Sequence, residues 1–422
     1  MTAIVPLFTV IMATWGRGRH ILPSITSVLQ QDFPNFELIV AGDACADETE
    51  AVVTAIKDPR VRWINLATRC GSQSAPNNAG IAAARGGIIA YLGHDDIWEP
   101  THLHHLAQLF GAAAPPDFGV SGVVNHLPKG IPGSRVQGLF SDDKDKHKYF
   151  FPPSCFSHRK DVVDRIGAWK MPMEIRAPVD EDFLLRAIAA DLGFASTGVV
   201  TVHKFTSAAR YLSYVQQQSV EQAAMLTEMG APDHAARLAA MVDTARQQGT
   251  FMGSFRRSYD QRALGEQARI NAARRGLSGR QLQPLGKGAV IRQRREICAL
   301  DWHEKPLFGI RLNRLNPSPR FLLPFSAAGQ VELTICAVHS DRAAFGPLAL
   351  LCNEQAVVAL PSDLRRSIWG WTAKYRAMVD LMPDRPSVLE FQLSPAQRAK
   401  SCLGRFEIGF GIGKLWLKPA AP

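Results

Sequence analysis

The first half of the chain is predicted to be an α/β domain with a largely parallel sheet. Apolar runs of strand length alternate there with amphipathic patterns of helical length, and polar residues follow the end of each run. The strand-like runs are Leu7 to Ala13, Phe36 to Ala41, Val61 to Leu66 and Ile88 to Leu92. The helical patterns between them include Thr49 to Ile56 and Asn77 to Ala84. Such alternation is typical of βαβ units, which place the carboxyl ends of their strands along one edge of the sheet.

The elements that follow are less regular. Residues 110–153 are rich in Gly, Pro and charged side chains, so this stretch is expected to contain flexible loop. Two further helices are predicted, Val162 to Trp169 and Asp182 to Leu192, and then a strand, Thr197 to Phe205. The α/β domain is therefore expected to span residues 1–215.

Two further regions are predicted beyond residue 215. Residues 216–296 are expected to form a helical connector, which carries eleven Lys and Arg between Arg256 and Glu296. That connector is either a solvated helical surface or a contact for a phosphate-rich acceptor or an anionic membrane. Residues 297–422 contain short strand-like segments separated by Pro, Gly and Asn, which predicts a β-sandwich.

Composition limits the class of protein. Hydrophobic residues make up 46% of the chain and charged residues 20%, so a globular protein with a sizeable core is expected. The net charge of +10 favours anionic ligands without choosing among them. The seven cysteines are scattered singly, which predicts neither a disulfide framework nor a zinc site. No run is long and apolar enough to span a membrane, and a cytoplasmic protein is expected.

Asp95 and Asp96 follow the fourth predicted strand and suggest a metal site. Two adjacent carboxylates repel each other unless a positive charge lies near them, and a divalent cation supplies that charge. Oxygen ligands suit Mn²⁺ or Mg²⁺, which also bind substrate phosphates. An acidic turn without metal is the structural alternative.

Trp15 and Asp43 follow the first and second strands, so they are expected at the same sheet edge as Asp95 and Asp96. Together these residues fit a nucleoside diphosphate: Trp15 against the base, Asp43 on its edge, Asp95 at the ribose, and Asp96 on the cation. The structural alternatives are core packing for Trp15 and a helix N-cap for Asp43.

The ordered motifs resemble those of the family 2 glycosyltransferases, which have the GT-A fold, a Rossmann-like mixed sheet flanked by helices. The matching stretches are FTVIMATWGRG, HILPSITSVLQQDFPNFELIVAGDACADET and PNNAGIAAARGGIIAYLGHDDIWEP. The resemblance covers about residues 7–210 and implies donor binding by Ala13, Trp15, Asp43, Asn78 and Asp95. Gly42 and Gly93 stand where the family usually has an aspartate.

The resemblance also implies an inverting mechanism with a general base at the head of a later helix. In the stretch PVDEDFLLR, aligning Arg186 places that base at Asp180, whereas aligning the Glu-Asp pair places it at Asp182; Asp180 is preferred. Ordinary N-terminal helix charge is the alternative. His203 is expected to approach the metal or the diphosphate, and Lys204 or Arg210 to neutralise the leaving group.

The predicted function is transfer of a sugar from a nucleotide-diphosphate donor, best a UDP-sugar, to a hydroxyl of a glycan or lipid-linked glycan in cell-surface polysaccharide synthesis. The expected cofactor is Mn²⁺ or Mg²⁺, no nucleic acid partner is expected, and the basic connector could contact the inner membrane face. Two alternatives remain: a sugar nucleotidyltransferase, and a non-catalytic carbohydrate-binding protein with a degenerate catalytic domain.

Overall fold

A computed structural model describes most of the chain. The described residues are 5–126, 135–142, 151–205, 218–247, 259, 263–266, 283–292, 299–300, 311–312, 320–323, 325–327, 329–353, 355–367, 370–383, 387–398, 401–403, 406–408 and 410–420. The chain divides into two compact units, Met1–Arg269 and Ile270–Pro422, which are described separately.

The first unit alternates strands and helices along the chain. Its strands are β1 (Phe8–Thr14), β2 (Phe36–Gly42), β3 (Val61–Asn65), β4 (Ile88–Tyr91), β5 (Ile97–Trp98), β6 (Phe118–His126), β7 (Arg135–Gln137), β8 (Phe156–Arg159) and β9 (Phe194–Phe205). Its helices are α1 (Leu22–Leu29), α2 (Thr49–Thr54), α3 (Ser74–Ala83), α4 (His102–Phe110), α5 (Val162–Ile166), α6 (Val179–Ala189), α7 (Val220–Met229) and α8 (His234–Gln247).

These strands form one mixed sheet in the order β3-β2-β1-β4-β8-β6-β9-β5, with β7 on β6. The first four positions in this order are parallel, β8 is antiparallel to both of its neighbours, and β6 runs parallel to β9. The predicted α/β class with a mixed sheet is confirmed. Strands β1, β2 and β4 are almost entirely buried along their lengths, which explains why they are continuous apolar runs rather than alternating ones.

Strand β6 was missed by the sequence analysis, which expected loop in that region. Gly119, Ser121 and Gly122 interrupt its apolar pattern and are typical of turns. The structure requires a small residue at 122, because a Cβ there would lie 2.8 Å from the Val199 carbonyl oxygen and 2.9 Å from the Cα of Val200. Close approach to β9 therefore explains the glycine.

Two predicted helix boundaries were wrong. Helix α5 ends at Ile166 rather than Trp169, because Gly167 adopts a φ of 79°, a left-handed conformation that terminates the helix. Helix α6 begins at Val179, directly after Pro178, three residues before the predicted start. The acidic residues at positions 180 to 182 therefore occupy its first turn, where the helix dipole favours negative charge.

The second unit is built mainly from antiparallel strands. They are β10 (Gln283–Pro284), β11 (Ala289–Arg292), β12 (Ala299–Leu300), β13 (Arg311–Leu312), β14 (Arg320–Leu323), β15 (Phe325–Ser326), β16 (Gln330–His339), β17 (Leu348–Cys352), β18 (Gln355–Ser367), β19 (Gly370–Asp380), β20 (Ser387–Gln392), β21 (Ser401–Leu403), β22 (Phe406–Ile408) and β23 (Gly411–Pro419). A short helix, α9 (Pro395–Arg398), precedes β21.

The main sheet path in this unit is β11-β23-β16-β19-β18-β17-β20-β14-β12. Strand β18 joins two halves, since its first residues pair with β17 and its later residues pair with β19. Leu333, Ile335 and Ala337 of β16 are fully buried while the residues between them are partly exposed. This period of two is the pattern of a sheet with one covered face. The prediction that short strands build the C-terminal region is confirmed, and their pairing in the main sheet is antiparallel.

The predicted connector is only partly described. Residues 220–229 and 234–247 are helical, as expected, but β11 lies inside the region predicted to be helical. Of the eleven basic residues in the tract, Lys287 and Arg292 are described, and the others lie outside the described residues. No helix in the described ranges is both long enough and apolar enough to cross a bilayer.

Candidate functional site

The carboxyl ends of β1, β2 and β4 meet around Thr14. The Asp43 backbone amide donates to the Thr14 carbonyl oxygen at 2.8 Å, and Nδ1 of His94 lies 3.1 Å from the Thr14 hydroxyl. The loop after β1 is held in place by Thr49, whose hydroxyl accepts hydrogen bonds from the backbone amides of Arg17 and Gly18. The three loops thus share one edge of the sheet, as the parallel order of these strands requires.

Trp15 is partly buried at this edge and carries a cation on its ring. The guanidinium carbon of Arg69 lies 3.5 Å from the ring centroid, within the range of a cation–π interaction. Arg69 itself is exposed. One face of the indole is therefore covered by an exposed cationic side chain rather than by core residues.

Asp43 is buried and anchors the loop that follows β3. Its Oδ1 accepts from the Cys70 amide and its Oδ2 accepts from the Gly71 amide, both at 2.7 Å. Charge-assisted bonds of this length are among the stronger hydrogen bonds in proteins. The carboxylate therefore fixes residues 70 and 71 at the same sheet edge as Trp15.

Asp96 is fully buried, and both of its carboxylate oxygens accept hydrogen bonds. Ser154 donates to Oδ2 at 2.5 Å, the Lys204 ammonium lies 3.0 Å from the same oxygen, and the Phe205 amide donates to Oδ1 at 3.1 Å. Burial raises the pKa of this carboxyl, which the charge of Lys204 opposes and that of Asp95 reinforces. The structure thus gives Asp96 protein partners on both oxygens.

Asp95 is partly exposed, in contrast to Asp96. Its backbone carbonyl accepts from the Gln222 side-chain amide on α7 at 2.9 Å. Gly93 precedes the pair, and a Cβ at that position would lie 2.8 Å from Oδ2 of Asp96. The inward orientation of Asp96 therefore requires glycine at position 93, where family 2 glycosyltransferases usually have an aspartate.

His94 is held neutral at this edge. Burial lowers its pKa to about 4, the negative charge of Asp95 opposes this, and the positive charges of Arg17 and Lys204 add to it. Arg17 is itself buried. The positive charges of Arg17 and Lys204 are therefore close enough to the loop that carries Asp95 to lower the pKa of His94.

The two candidate bases, Asp180 and Asp182, both lie in the first turn of α6 but have different partners. Asp182 accepts from Arg186 Nε at 2.8 Å, and the same guanidinium also donates to the backbone carbonyls of residues 166 to 168. Asp180 forms no ion pair with an Arg or Lys in the described part of the chain. Burial raises its pKa, opposed by hydrogen bonds from the amides of residues 180 and 181 and by the charge of Lys204. Lys204 thus acts on both Asp96 and Asp180.

Two other predicted donor-binding residues have structural contacts. The Asn78 side chain donates to the Trp169 carbonyl at 2.8 Å and accepts from the Trp169 amide at 2.9 Å. Ala13 lies near the end of β1, paired in register with Ala41 of β2. Asn78 therefore fastens α3 to the segment between α5 and α6.

His203 lies in a different cluster from Asp96. Its Nε2 is 2.6 Å from Oε1 of Glu99, and its Nδ1 is 2.9 Å from Nε2 of His126. Lys204, the next residue of β9, reaches Asp96, and neighbouring strand residues point to opposite faces of a sheet. The structure does not bring His203 and Asp96 together as two ligands of one ion.

Several site residues carried no sequence signal. Ser154 lies 58 positions after Asp96 in the region expected to be loop, and Arg69 lies in a polar turn. Only the contacts of Ser154 with Asp96 and of Arg69 with Trp15 assign these two residues to the site. Lys204 was recognised only as a candidate for charge neutralisation, without its partner Asp96.

Residues 9–166 match the family model described as Glycosyl transferase family 2. This range contains all of β1 except Phe8, the strands β2 to β8, and the residues at the sheet edge except those of α6 and β9. The sequence resemblance to that family is confirmed over this range.

Curated relatives agree with this match. The putative colanic acid biosynthesis glycosyl transferase WcaA of Escherichia coli (strain K12) is 28% identical over 196 residues, covering 43% of this chain and 66% of that protein. The UDP-Glc:alpha-D-GlcNAc-diphosphoundecaprenol beta-1,3-glucosyltransferase WfgD of Escherichia coli is 36% identical over 92 residues, covering 22% of this chain and 36% of that protein. The chain spans between 31% and 66% of the length of the first curated relatives it matches.

A solved structure is also similar. The crystal structure of S. aureus TarS in complex with UDP-GlcNAc is 16% identical, with a TM-score of 0.42, covering 58% of this chain and 78% of that one.

Proposed function

Since residues 9–166 of this chain belong to glycosyl transferase family 2, we propose that it is an inverting glycosyltransferase that moves a sugar from a UDP-sugar to a glycan hydroxyl. The observation that carries the proposal is the position of Lys204. Its ammonium group forms an ion pair with Asp96, the neighbour of Asp95, and its charge opposes the rise in the pKa of Asp180 that burial causes. A donor-binding edge and a candidate base thereby share one cation.

The donor site is proposed at the ends of β1, β2 and β4. Trp15 offers an aromatic face for the base, and Asp43 with the loop it anchors offers polar groups at the base edge. UDP is favoured over other nucleotides by the name of the relative WfgD, which uses UDP-Glc. Binding of the base on the covered face of Trp15 requires that Arg69 move aside.

Mg²⁺ or Mn²⁺ fits this edge through Asp95. These ions keep several waters and need only one or two carboxylates in addition to substrate phosphates. Asp95 is partly exposed, whereas Asp96 is fully buried with both oxygens engaged by the protein, so we assign the ligand role to Asp95. When bound, the cation supplies positive charge to the departing diphosphate.

The proposed transfer is a single displacement. Asp180 accepts the proton of the acceptor hydroxyl, whose oxygen forms a bond to the anomeric carbon while the bond from that carbon to the diphosphate oxygen breaks. The electron pair leaves with the diphosphate, and we assign to the partly exposed Lys204 the stabilisation of that group's charge. Asp182 is assigned to holding Arg186 instead, because their ion pair occupies it.

The acceptor class is proposed from the relatives. WcaA is named for colanic acid biosynthesis, and WfgD acts on a sugar linked to diphosphoundecaprenol. A glycan or lipid-linked glycan hydroxyl in polysaccharide synthesis is therefore the proposed acceptor.

A thermal-shift screen of UDP-, GDP- and TDP-sugars with Mn²⁺ tests the donor assignment, because a ligand that binds only the folded state raises the melting temperature. We expect stabilisation by UDP-sugars that needs Mn²⁺ and is lost in Asp95→Asn. Binding of glycan without any nucleotide sugar would favour a carbohydrate-binding protein. Pyrophosphate release from a sugar phosphate and a nucleoside triphosphate would favour a nucleotidyltransferase.

A further inference from the structure

A second cluster of metal-ligating side chains lies on the other face of β9 from Lys204. Glu99 directly follows β5, His203 lies near the end of β9, and His234 is the first residue of α8. Oε1 of Glu99 is 2.6 Å from Nε2 of His203 and 2.7 Å from Nε2 of His234. One ligand atom from each of the three residues lies within 4.8 Å of the others, and all three residues are buried.

We propose that Glu99, His203 and His234 bind a zinc-like divalent cation that fastens α8 to the sheet. Two imidazole nitrogens and one carboxylate oxygen are a ligand set suited to Zn²⁺. This set differs from the oxygen-only site proposed at Asp95, which suits Mg²⁺ or Mn²⁺. The two sites should therefore select different ions.

His126 is placed to orient His203. Its Nε2 lies 2.9 Å from Nδ1 of His203, and the two rings are stacked with centroids 5.1 Å apart. When Nδ1 of His203 carries the proton and donates to His126, Nε2 of His203 presents its lone pair toward Glu99. Second partners of this kind fix the tautomer and orientation of metal-binding histidines.

Oε1 of Glu99 lies closer to each imidazole nitrogen than a bound ion would hold it. With metal–ligand bonds of about 2.0 to 2.1 Å in a tetrahedron, neighbouring ligand atoms lie about 3.3 Å apart. The Glu99 carboxylate must therefore withdraw from each imidazole by less than about 1 Å, and the ion then replaces the two hydrogen bonds to Glu99.

Room for that movement is available beside the cluster. A cavity of about 250 Å³ is lined by His126, His203 and His234 together with residues of α7 and α8 such as Met225, Glu228 and Met241. The cavity is large enough for a water as the fourth ligand. It also provides a path from the surface of α7 and α8 to the ligand atoms.

The site would couple to the donor edge through two neighbours. Lys204 follows His203 on β9 and pairs with Asp96, and α7 carries Gln222, which contacts the Asp95 carbonyl. A cation that fixes β9 stabilises the strand that carries Lys204, and α7, which carries Gln222, borders the same cavity through Met225. Its role is structural, because none of its ligands faces Asp180 or Asp96 in the described contacts.

Zinc binding to the full, untagged chain tests the proposal. After treatment with a chelator, titration with zinc chloride in a calorimeter should give about one equivalent of tight binding. His234→Gln should weaken the affinity at least 10-fold, by analogy with the cost of disturbing metal ligands and their partners. His104→Gln, which changes an exposed histidine, should bind zinc like the original protein.

Two further measurements distinguish zinc binding from misfolding of a variant and from donor binding. Cobalt bound to the original chain should give the visible absorption of a tetrahedral site, a readout that does not depend on the folding of any variant. Asp95→Asn should keep the zinc equivalent even where it loses donor binding, which separates this proposal from the proposed function. An original chain that takes up no stoichiometric zinc, or equal zinc affinity in His234→Gln, would overturn the proposal.

Discussion

The ammonium nitrogen of Lys204 lies 3.0 Å from Oδ2 of Asp96, and this ion pair joins β9 to the loop after β4. The carboxylate is fully buried, while 27% of the Lys204 side chain remains exposed. Lys204 therefore supplies the counter-charge of a buried carboxylate while part of its own side chain stays in contact with solvent.

Lys204→Met should destabilise the protein because it leaves the Asp96 carboxylate buried without its cation. Breaking one partner of a buried ion pair costs about 3 kcal/mol. The free energy of unfolding from urea titration measures this loss.

The double variant Asp96→Asn/Lys204→Met is the matched control, because an amide needs no counter-charge. It should be more stable than Lys204→Met alone. An unchanged unfolding free energy in Lys204→Met would show that the ion pair contributes nothing to stability.

Asp180→Asn should lower kcat about 100-fold or more with little loss of stability, because it removes the proposed general base. Asp182→Asn should instead lower stability by about 1 to 3 kcal/mol, since it removes the charged partner of Arg186, and should keep most of the activity. Steady-state kinetics and urea unfolding on the same preparations separate the two effects. The reverse assignment of the two losses would place the base at Asp182.

The same assignment predicts a pH dependence. Burial raises the pKa of Asp180, so its basic form is lost at a higher pH than that of an ordinary aspartate as the solution is acidified. The rate should therefore fall on the acidic side from a pH above about 4. A flat rate down to that pH would contradict the assignment.

Acid should destabilise the first unit through His158, whose pKa burial lowers to about 4. Its unfolded pKa is about 6.5, so between these values the unfolded chain binds a proton that the folded chain does not. Stability is then full above pH 6.5 and falls by about 1.4 kcal/mol per pH unit, about 3 kcal/mol in total, as the pH drops to about 4.

His158→Gln should reduce that slope, because glutamine does not titrate and can still bond to the Tyr91 hydroxyl, which lies 2.8 Å from Nε2 of His158. Urea unfolding at several pH values measures the slope. The exposed His104→Gln variant should leave the slope unchanged. An equal slope in His158→Gln and the original chain would rule out this histidine as the source.

Gly122→Ala should destabilise the sheet by about 1 to 3 kcal/mol, because its Cβ would meet backbone atoms of Val199 and Val200 closer than 3.0 Å. Gly87→Ala is the control, since a Cβ there has no atom within 4 Å. Thermal unfolding of the two variants should differ by several degrees. Equal melting temperatures would mean that β6 and β9 move apart at little cost.

The local sequence was sufficient to predict the strands that lie near the start of the chain. Strands β1, β2 and β4 are continuous apolar runs because they are buried on both faces, and this pattern is visible without a structure. Strand β6 was not visible, because the small residues that let it approach β9 also resemble a turn.

By itself, the sequence determined the α/β class of the first unit and the strand-rich character of the second, because apolar periodicity is a property of residues close together in the chain. The alternation of strands and helices also predicted that Trp15, Asp43 and Asp95 share one sheet edge. Tertiary structure alone decided which carboxylate of the Asp95-Asp96 pair is buried. It turned Asp96 inward to Lys204 and Ser154. It also placed His203 with Glu99 and His234. The reason is physical: the partners that bury or pair these side chains lie between 58 and 135 residues away in the chain, and no local pattern encodes which of them will meet.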